Sequence, residues 1–388
     1  MSSRTRLVVM SISAPIIAFA IVGGFLGKVM AREDTFLHLK PFDDVVGFIA
    51  SNYVEEVSVE KVMQGALRGL ADGLDPDSAY LSPDQVKEVE AGKALPAGDI
   101  GVELTRQYYL RIIAARDGSP AAKAGLRSGD YVRTIDDKPT REMSVWEGAR
   151  ALRGAPGSKV TLSIIRGSAA DPHVVELIRG TMPASEVQSR IAAPGVGYVR
   201  IAAIGSDTAA QVKSQIADLQ KNGAAKLIVD VRRTSTGVAD QGLALARLFV
   251  NQGTLAIRER SANVKEPIAA AIGDGAIKLP VLVLLDAGTS GAAELFASAM
   301  AGNQRAELVG EPTIGRAAIQ RLIKLPDSSG LWLSTARYLT PAGGPLHEKG
   351  LVPTVPVDEP DVEFGQTPPP GDPTLDKAIE RFSVKQAA

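Results

Sequence analysis

Few residue types in this chain can carry chemistry. There is no cysteine, and the three histidines, His38, His173 and His347, are scattered through 388 residues. Disulfides, thiolate metal sites and a cysteine nucleophile are excluded. Histidines so far apart give no zinc pattern, so no metal and no cofactor is expected. Serine, threonine, lysine, arginine, carboxylates and backbone amides remain. Lys+Arg 43 against Asp+Glu 44 leaves a net charge of −1. The whole chain therefore carries no electrostatic footprint for nucleic acid. With 45% hydrophobic and 22% charged residues, it can bury a core and is not a disordered polymer. At roughly 150 residues per domain, two or three domains are expected.

Elements must position those residues. Arg4 and Arg6 precede an uncharged run from Leu7 to Gly27, closed by Lys28. About 20 apolar residues span a bilayer as a helix, and basic residues ahead of such a run direct the chain beyond it to the far side of the membrane. Val29-Met30-Ala31 offers a small-residue cleavage site. Segment 1–34 is thus a signal or anchor. The body is expected in the periplasm or extracytoplasmic space, tethered to the cell membrane by a single transmembrane helix or secreted after cleavage. From 35 to 96 the pattern is helical, through Phe42, Val45, Val46, Ile49 and Tyr53 and then Val62, Met63, Ala66, Leu67 and Leu70. Asp75-Pro76-Asp77-Ser78 is turn chemistry, and Ser82-Pro83-Asp84 starts another helix.

From 97 to 183 short strands (Ile100–Leu104, Leu110–Ala114, Tyr131–Ile135, Val160–Arg166) surround two helices, one ended by Gly125. This is a small β-rich α+β module. From 184 to 357, strands (Val196–Ile201, Lys226–Val231, Val281–Leu285) alternate with helices (Thr208–Lys221, Asp240–Asn251, Ala292–Met300). That alternation predicts an α/β fold with a mainly parallel sheet. Leu322–Leu325 and Leu331–Arg337 read as a hairpin pair. The stretch 358–388, with Pro368-Pro369-Pro370 and a weak helix from Thr374, reads as a Pro-rich tail.

The residues resemble the carboxyl-terminal processing peptidases, or tail-specific proteases, over roughly 40–357. Asn52-Tyr53-Val54-Glu55-Glu56 and Leu74-Asp75-Pro76-Asp77-Ser78-Ala79-Tyr80-Leu81 resemble the family's helical N-terminal segment. Ile100-Gly101-Val102-Glu103-Leu104, Ser119-Pro120-Ala121 and Gly129-Asp130 resemble its PDZ domain. Gly310-Glu311-Pro312-Thr313-Ile314-Gly315, Ala336-Arg337-Tyr338-Leu339-Thr340-Pro341 and Lys349-Gly350-Leu351-Val352-Pro353 resemble its core. The resemblance implies a crotonase-like (ClpP-like) peptidase core with an inserted PDZ domain and an N-terminal helical unit. It also implies serine endopeptidase chemistry on polypeptide C-termini or unfolded proteins, by a Ser–Lys dyad in which a neutral lysine takes the serine's proton.

At the dyad the chain departs from the family. The serine is the central one of Ser-Ala-Ser-Ala-Ser-Glu; here the stretch is Thr289-Ser290-Gly291-Ala292-Ala293-Glu294, and Glu294 sets the register so that Gly291 takes the nucleophile position. The lysine of a later Phe-Gly-Lys turn becomes Arg316 in Ile314-Gly315-Arg316, while the family's following glutamine persists as Gln320. Glycine has no nucleophile, and arginine stays protonated near neutrality. The family's Asp-Leu-Arg-Asn-Asn-Pro-Gly-Gly is here Asp230-Val231-Arg232-Arg233-Thr234-Ser235-Thr236-Gly237. A branched Thr236 in place of glycine is expected to disturb the oxyanion donors around Gly237.

These departures imply a pseudopeptidase. The rivals are a live endopeptidase using Ser290 as a relocated nucleophile and a structural partner of an active relative. Ser290 has a plain alternative as a helix N-cap, and its base would have to come from Lys324 or Lys278, which nothing places nearby. Arg316 fits either a bound carboxylate or a structural ion pair. Glu103 and Arg232 read as structural charges, His347 as a solvent-facing loop residue, and Trp146 and Trp332 as packing residues. In the PDZ-like segment, Gly98-Asp99-Ile100-Gly101-Val102 falls at the family's carboxylate loop, so Ile100, Gly101 and Val102 are the expected peptide-binding positions.

Overall fold

The computed structural model describes residues 40–167, 171–183, 186–260, 264–360, 362–366 and 369–384. The apolar run expected to address a membrane lies outside them. Among the described residues no helix is long and apolar enough to cross a membrane. Helices α1 (40–52) and α2 (Val59–Asp72) form where apolar residues recur at helical spacing. The chain divides into one compact unit up to Leu70 and another from Ala71 onward.

The second unit opens with the short strand β1 (Ala79–Leu81) and helix α3 (Pro83–Glu90). Ser82 and Gln85 cap α3 reciprocally, and Pro83 sits in its first turn where no backbone donor is needed. A small antiparallel sheet comes next, from β2 (Val102–Gln107), β3 (Tyr109–Ala115), β4 (Tyr131–Ile135), the two-residue β5 (Lys138–Pro139), β6 (Lys159–Ile165) and β7 (His173–Ile178). Helices α4 (Pro120–Lys123) and α5 (Val145–Ala151) interrupt it. The strands lie in the order β2-β3-β4-β6-β7. Alternate residues such as Leu104, Leu110, Val132, Leu162 and Ile164 face one core, with Ile100, Leu126 and Val145. Helix α5 lies so close that a Cβ on Gly148 would stand 2.2 Å from Leu110 Cδ1.

The central layer is a six-stranded sheet in the order β17-β14-β13-β10-β9-β8. Its strands are β8 (Glu186–Ala193), β9 (Val196–Ala203), β10 (Lys226–Asp230), β13 (Val281–Leu285), β14 (Ala306–Gly310) and β17 (Val355–Pro356). Every pairing is parallel except β8 with β9, in keeping with the alternation of strands and helices. Helices α6 (Thr208–Lys221), α7 (Ala239–Ala246) and α8 (Ala292–Gly302) cover the face to which Leu227, Val229, Val283 and Leu285 point. Their neighbours Ile228, Leu282, Leu284 and Val309 point to the other face, where helix α9 (Pro373–Val384) packs through Leu375, Ala378 and Phe382. The region beyond 358 is therefore more than a Pro-rich tail. Three buried apolar residues at helical spacing anchor it.

A third sheet, antiparallel, runs β1-β16-β11-β12, with β15 beside β16. It comprises β11 (Thr254–Arg260), β12 (Val264–Ala269), β15 (Ala318–Lys324) and β16 (Gly330–Leu339). The β15–β16 hairpin appears in the sequence pattern, but β11–β12 does not. Its alternation is blurred by charges that pair across strands, Arg258 with Glu266 and Arg337 with Glu259.

Candidate active site

Three loops leave the carboxyl ends of β10, β13 and β14, where open α/β sheets leave a crevice. Those after β10 and β13 are bonded to each other. Arg233 N donates to Asp286 Oδ1 at 2.8 Å, Ser290 N to Thr234 O at 3.0 Å, and Thr289 Oγ1 to Val231 O at 2.9 Å. Between the loops, strands β11, β15 and β16, and Glu103 of the small sheet opens a cleft of about 590 Å³. Its lining brings together Gly237, Ser290, Gly291, Arg316 and Gln320, five positions singled out in the sequence, with Asp77 and Glu103.

Gly291 caps α8 with φ 60 and ψ −118, a conformation side chains other than glycine's rarely adopt. A Cβ there would meet nothing nearer than Arg316 O at 3.9 Å, so the space for a side chain is open. The N-cap is Gly291, not Ser290. Ser290 is fully buried one residue earlier, and its Oγ has no hydrogen-bond partner among the described residues. No lysine is among the described residues lining the cleft. Lys324 pairs instead with Glu90 at 2.8 Å on the surface.

Glu294, which in the sequence serves only to fix the register, holds the site together. Its Oε2 accepts from Gly291 N at 3.2 Å and Arg316 N at 2.7 Å. Its Oε1 accepts from Gly315 N at 2.8 Å and from the Thr313 hydroxyl. One carboxyl thus ties the Gly291 turn to the Gly315-Arg316 turn. Burial raises its pKa above the ordinary glutamate value, against the pull of those four donors. The capping-box spacing from residue 291 was the available signal.

The Arg316 guanidinium is a structural ion pair, not a free fork. Its Nη2 lies 3.0 Å from Asp77 Oδ1, its Nε 3.1 Å from the same oxygen, and its Nη1 bonds Glu103. Burial works against its charge, but Asp77 and Glu103 outweigh that and raise its pKa beyond the ordinary arginine value. Asp77, read in the sequence only as turn chemistry, is the partner that sequence reasoning missed. Gln320 Nε2 donates to Ser334 Oγ at 3.1 Å.

Thr236 corrects an expectation. It has no positive φ; the unusual backbone belongs to Gly237, at φ 100. A Cβ on Gly237 would lie 2.7 Å from Ile204 O. Thr236 Oγ1 accepts from Ile204 N at 3.1 Å, so the branched residue is a tie rather than a source of strain. His347 is half-buried, with Ala317 N reaching its Nδ1 at 3.4 Å, so it is not a free loop residue. Trp146 and Trp332 pack in one apolar cluster with Leu81 and Val86. Arg232 is held by Asp230 and Asp372 at 2.6 and 2.7 Å.

In the small sheet, Ile100 is buried in the core and Gly101 turns the chain at φ 78. The Ile100 and Gly101 amides both donate to Asp99 Oδ1, at 2.7 and 3.2 Å. Val102 begins β2, which lies at the sheet's edge.

Residues 195–357 match the sequence model of peptidase family S41, and residues 111–166 that of the PDZ domain. The chain is 30% identical over 313 residues to the "Carboxyl-terminal-processing protease" of a Synechocystis species, covering 79% of this chain and 73% of that one. It is 28% identical to the "Carboxy-terminal-processing protease" of Bartonella bacilliformis, over 89% of this chain and 83% of that protein. Among solved structures, the photosystem II D1 C-terminal processing protease superposes with a TM-score of 0.68 at 26% identity, over 82% of this chain and 92% of that one. The chain belongs to the carboxyl-terminal processing peptidases of family S41 and carries a PDZ domain.

Proposed function

We propose that this protein is a non-cleaving member of its family, a pseudopeptidase that holds polypeptides in the cleft and its PDZ module. The observation that carries this reading is the pairing of Gly291, at the nucleophile position, with Arg316, bonded to two carboxylates at the base position. A glycine supplies no attacking atom, and a guanidinium held by two anions takes up no proton. The division proposed is a signal or anchor segment 1–34, a helical unit 35–96, the PDZ domain 97–183, a crotonase-like (ClpP-like) core 184–357 and a C-terminal region 358–388. The basic residues before the Leu7–Gly27 run support export, with the body on the extracytoplasmic side of the cell membrane.

One observation favours the rival. Ser290, whose Oγ has no partner among the described residues, lines the cleft, though none of them there is a lysine that could activate it. The test is prolonged incubation of the full chain with a permanently unfolded protein, beside its Ser290→Ala variant. The expected outcome is no cleavage by either, with the unfolded protein retained on immobilised chain. Cleavage that disappears in Ser290→Ala establishes the relocated nucleophile and overturns the proposal.

A further inference from the structure

We propose that Asp99 is a built-in ligand for the PDZ carboxylate loop, and that the module therefore takes extended internal segments of polypeptide in preference to free C-termini. This deepens the polypeptide-holding reading and rests on it. Successive amides that converge on one point make an anion seat. The Ile100 and Gly101 amides converge in this way, and the oxygen they hold is Asp99 Oδ1, at 2.7 and 3.2 Å. The other carboxylate oxygen, Oδ2, lies 3.0 Å from Arg153 Nη2. One side chain thus fills both amides and neutralises the neighbouring cation.

The backbone around the seat is fixed. Asp99 N and O pair with Gly180 O and N, both at 2.8 Å. Ile100 O accepts from Ala121 N at 3.0 Å and Gly101 O from Arg116 N at 2.8 Å. Gly101 cannot be rebuilt with a side chain, since its Cβ would stand 2.4 Å from Ser119 Cβ. The amides therefore stay aimed at Asp99. An arriving terminal carboxylate meets used donors, a cation already paired and a like charge, which disfavours it. An internal segment brings no such charge. It needs only the exposed backbone groups of a sheet edge, and β2 is the edge strand.

The experiment measures binding of a labelled peptide with an apolar end, as free acid and as C-terminal amide, by fluorescence anisotropy. It uses the full-length chain, Asp99→Gly and Asp99→Asn. The parent is expected to bind the acid no more tightly than the amide. Asp99→Gly should prefer the acid about tenfold, the worth of a charge-assisted hydrogen bond. Asp99→Asn, which keeps the size and an acceptor but loses the charge, should fall between and controls for folding. A parent that prefers the acid tenfold, or an Asp99→Gly that gains no preference for it, overturns the inference. Retention of the unfolded protein on immobilised chain separates the two readings. If retention persists, only the role of Asp99 falls; if it is lost as well, the polypeptide-holding reading falls with it.

Discussion

At position 316 a lysine would inherit the partners that now hold the arginine. Asp77 and Glu103 both reach that side chain, and nearby anions raise a lysine's pKa, keeping it protonated. Gly291→Ser with Arg316→Lys should therefore give little turnover of an unfolded substrate. Adding Asp77→Asn and Glu103→Gln should raise it at least about tenfold, because each pKa unit removed multiplies the neutral fraction about tenfold. Full activity in the double variant would show that the acids do not control the base. Thr236→Gly added to these changes should gain nothing, since Thr236 already sits in ordinary backbone and ties down Ile204. The new serine has room but inherits φ 60. Gly291→Ser alone should then unfold on the order of 1–3 kcal/mol more easily, as read by chemical denaturation. These partners were invisible in the sequence because Arg316 meets them 239 and 213 residues away along the chain.

Helix α8 is the element that sets the cleft's floor, and it is buried from Ala292 to Met300. Its small residues let α7 approach until a Cβ on Gly242 would stand 2.1 Å from Ala292 O. Gly242→Ala should push the start of α8 away. We expect a loss of about 1–3 kcal/mol in urea denaturation, the usual cost of overpacking; unchanged stability would mean that the two helices can part freely. The strand before α8 was legible because Val281–Leu285 is an unbroken apolar run, as a strand buried on both faces must be. Gly291 and Arg316 were legible through the register fixed by Glu294. The four hydrogen bonds of Glu294 were not, because they depend on loops brought together only by the sheet. In the sequence Asp99 is only one residue of the stretch Gly98–Val102. That it turns inward onto the next two amides is a matter of backbone dihedrals, which residue type alone does not fix.

Across the whole molecule, α9 is bound to the central sheet by charge as well as by apolar contact. Arg232, after β10, holds Asp230 and also Asp372 at the start of α9. Burial pushes both carboxyls up, but Arg232 outweighs it and holds each below the ordinary value of 3.8. Groups depressed in this way stabilise the fold fully above that value and lose their contribution as the pH falls through the folded-state pKa. Melting temperature should accordingly hold near neutrality and drop below about pH 4. Asp372→Asn should lower it at neutral pH and flatten the acid limb; an acid limb identical to the parent's would place the effect elsewhere. The same helix bears on the order in which the protein can be completed. A chain is made from its N-terminus, and domains generally fold as units during synthesis. Ile228, Leu282, Leu284 and Val309 are covered by Leu375, Ala378 and Phe382, which all follow them in the chain. Until those emerge, the nascent chain keeps one apolar side of the sheet uncovered.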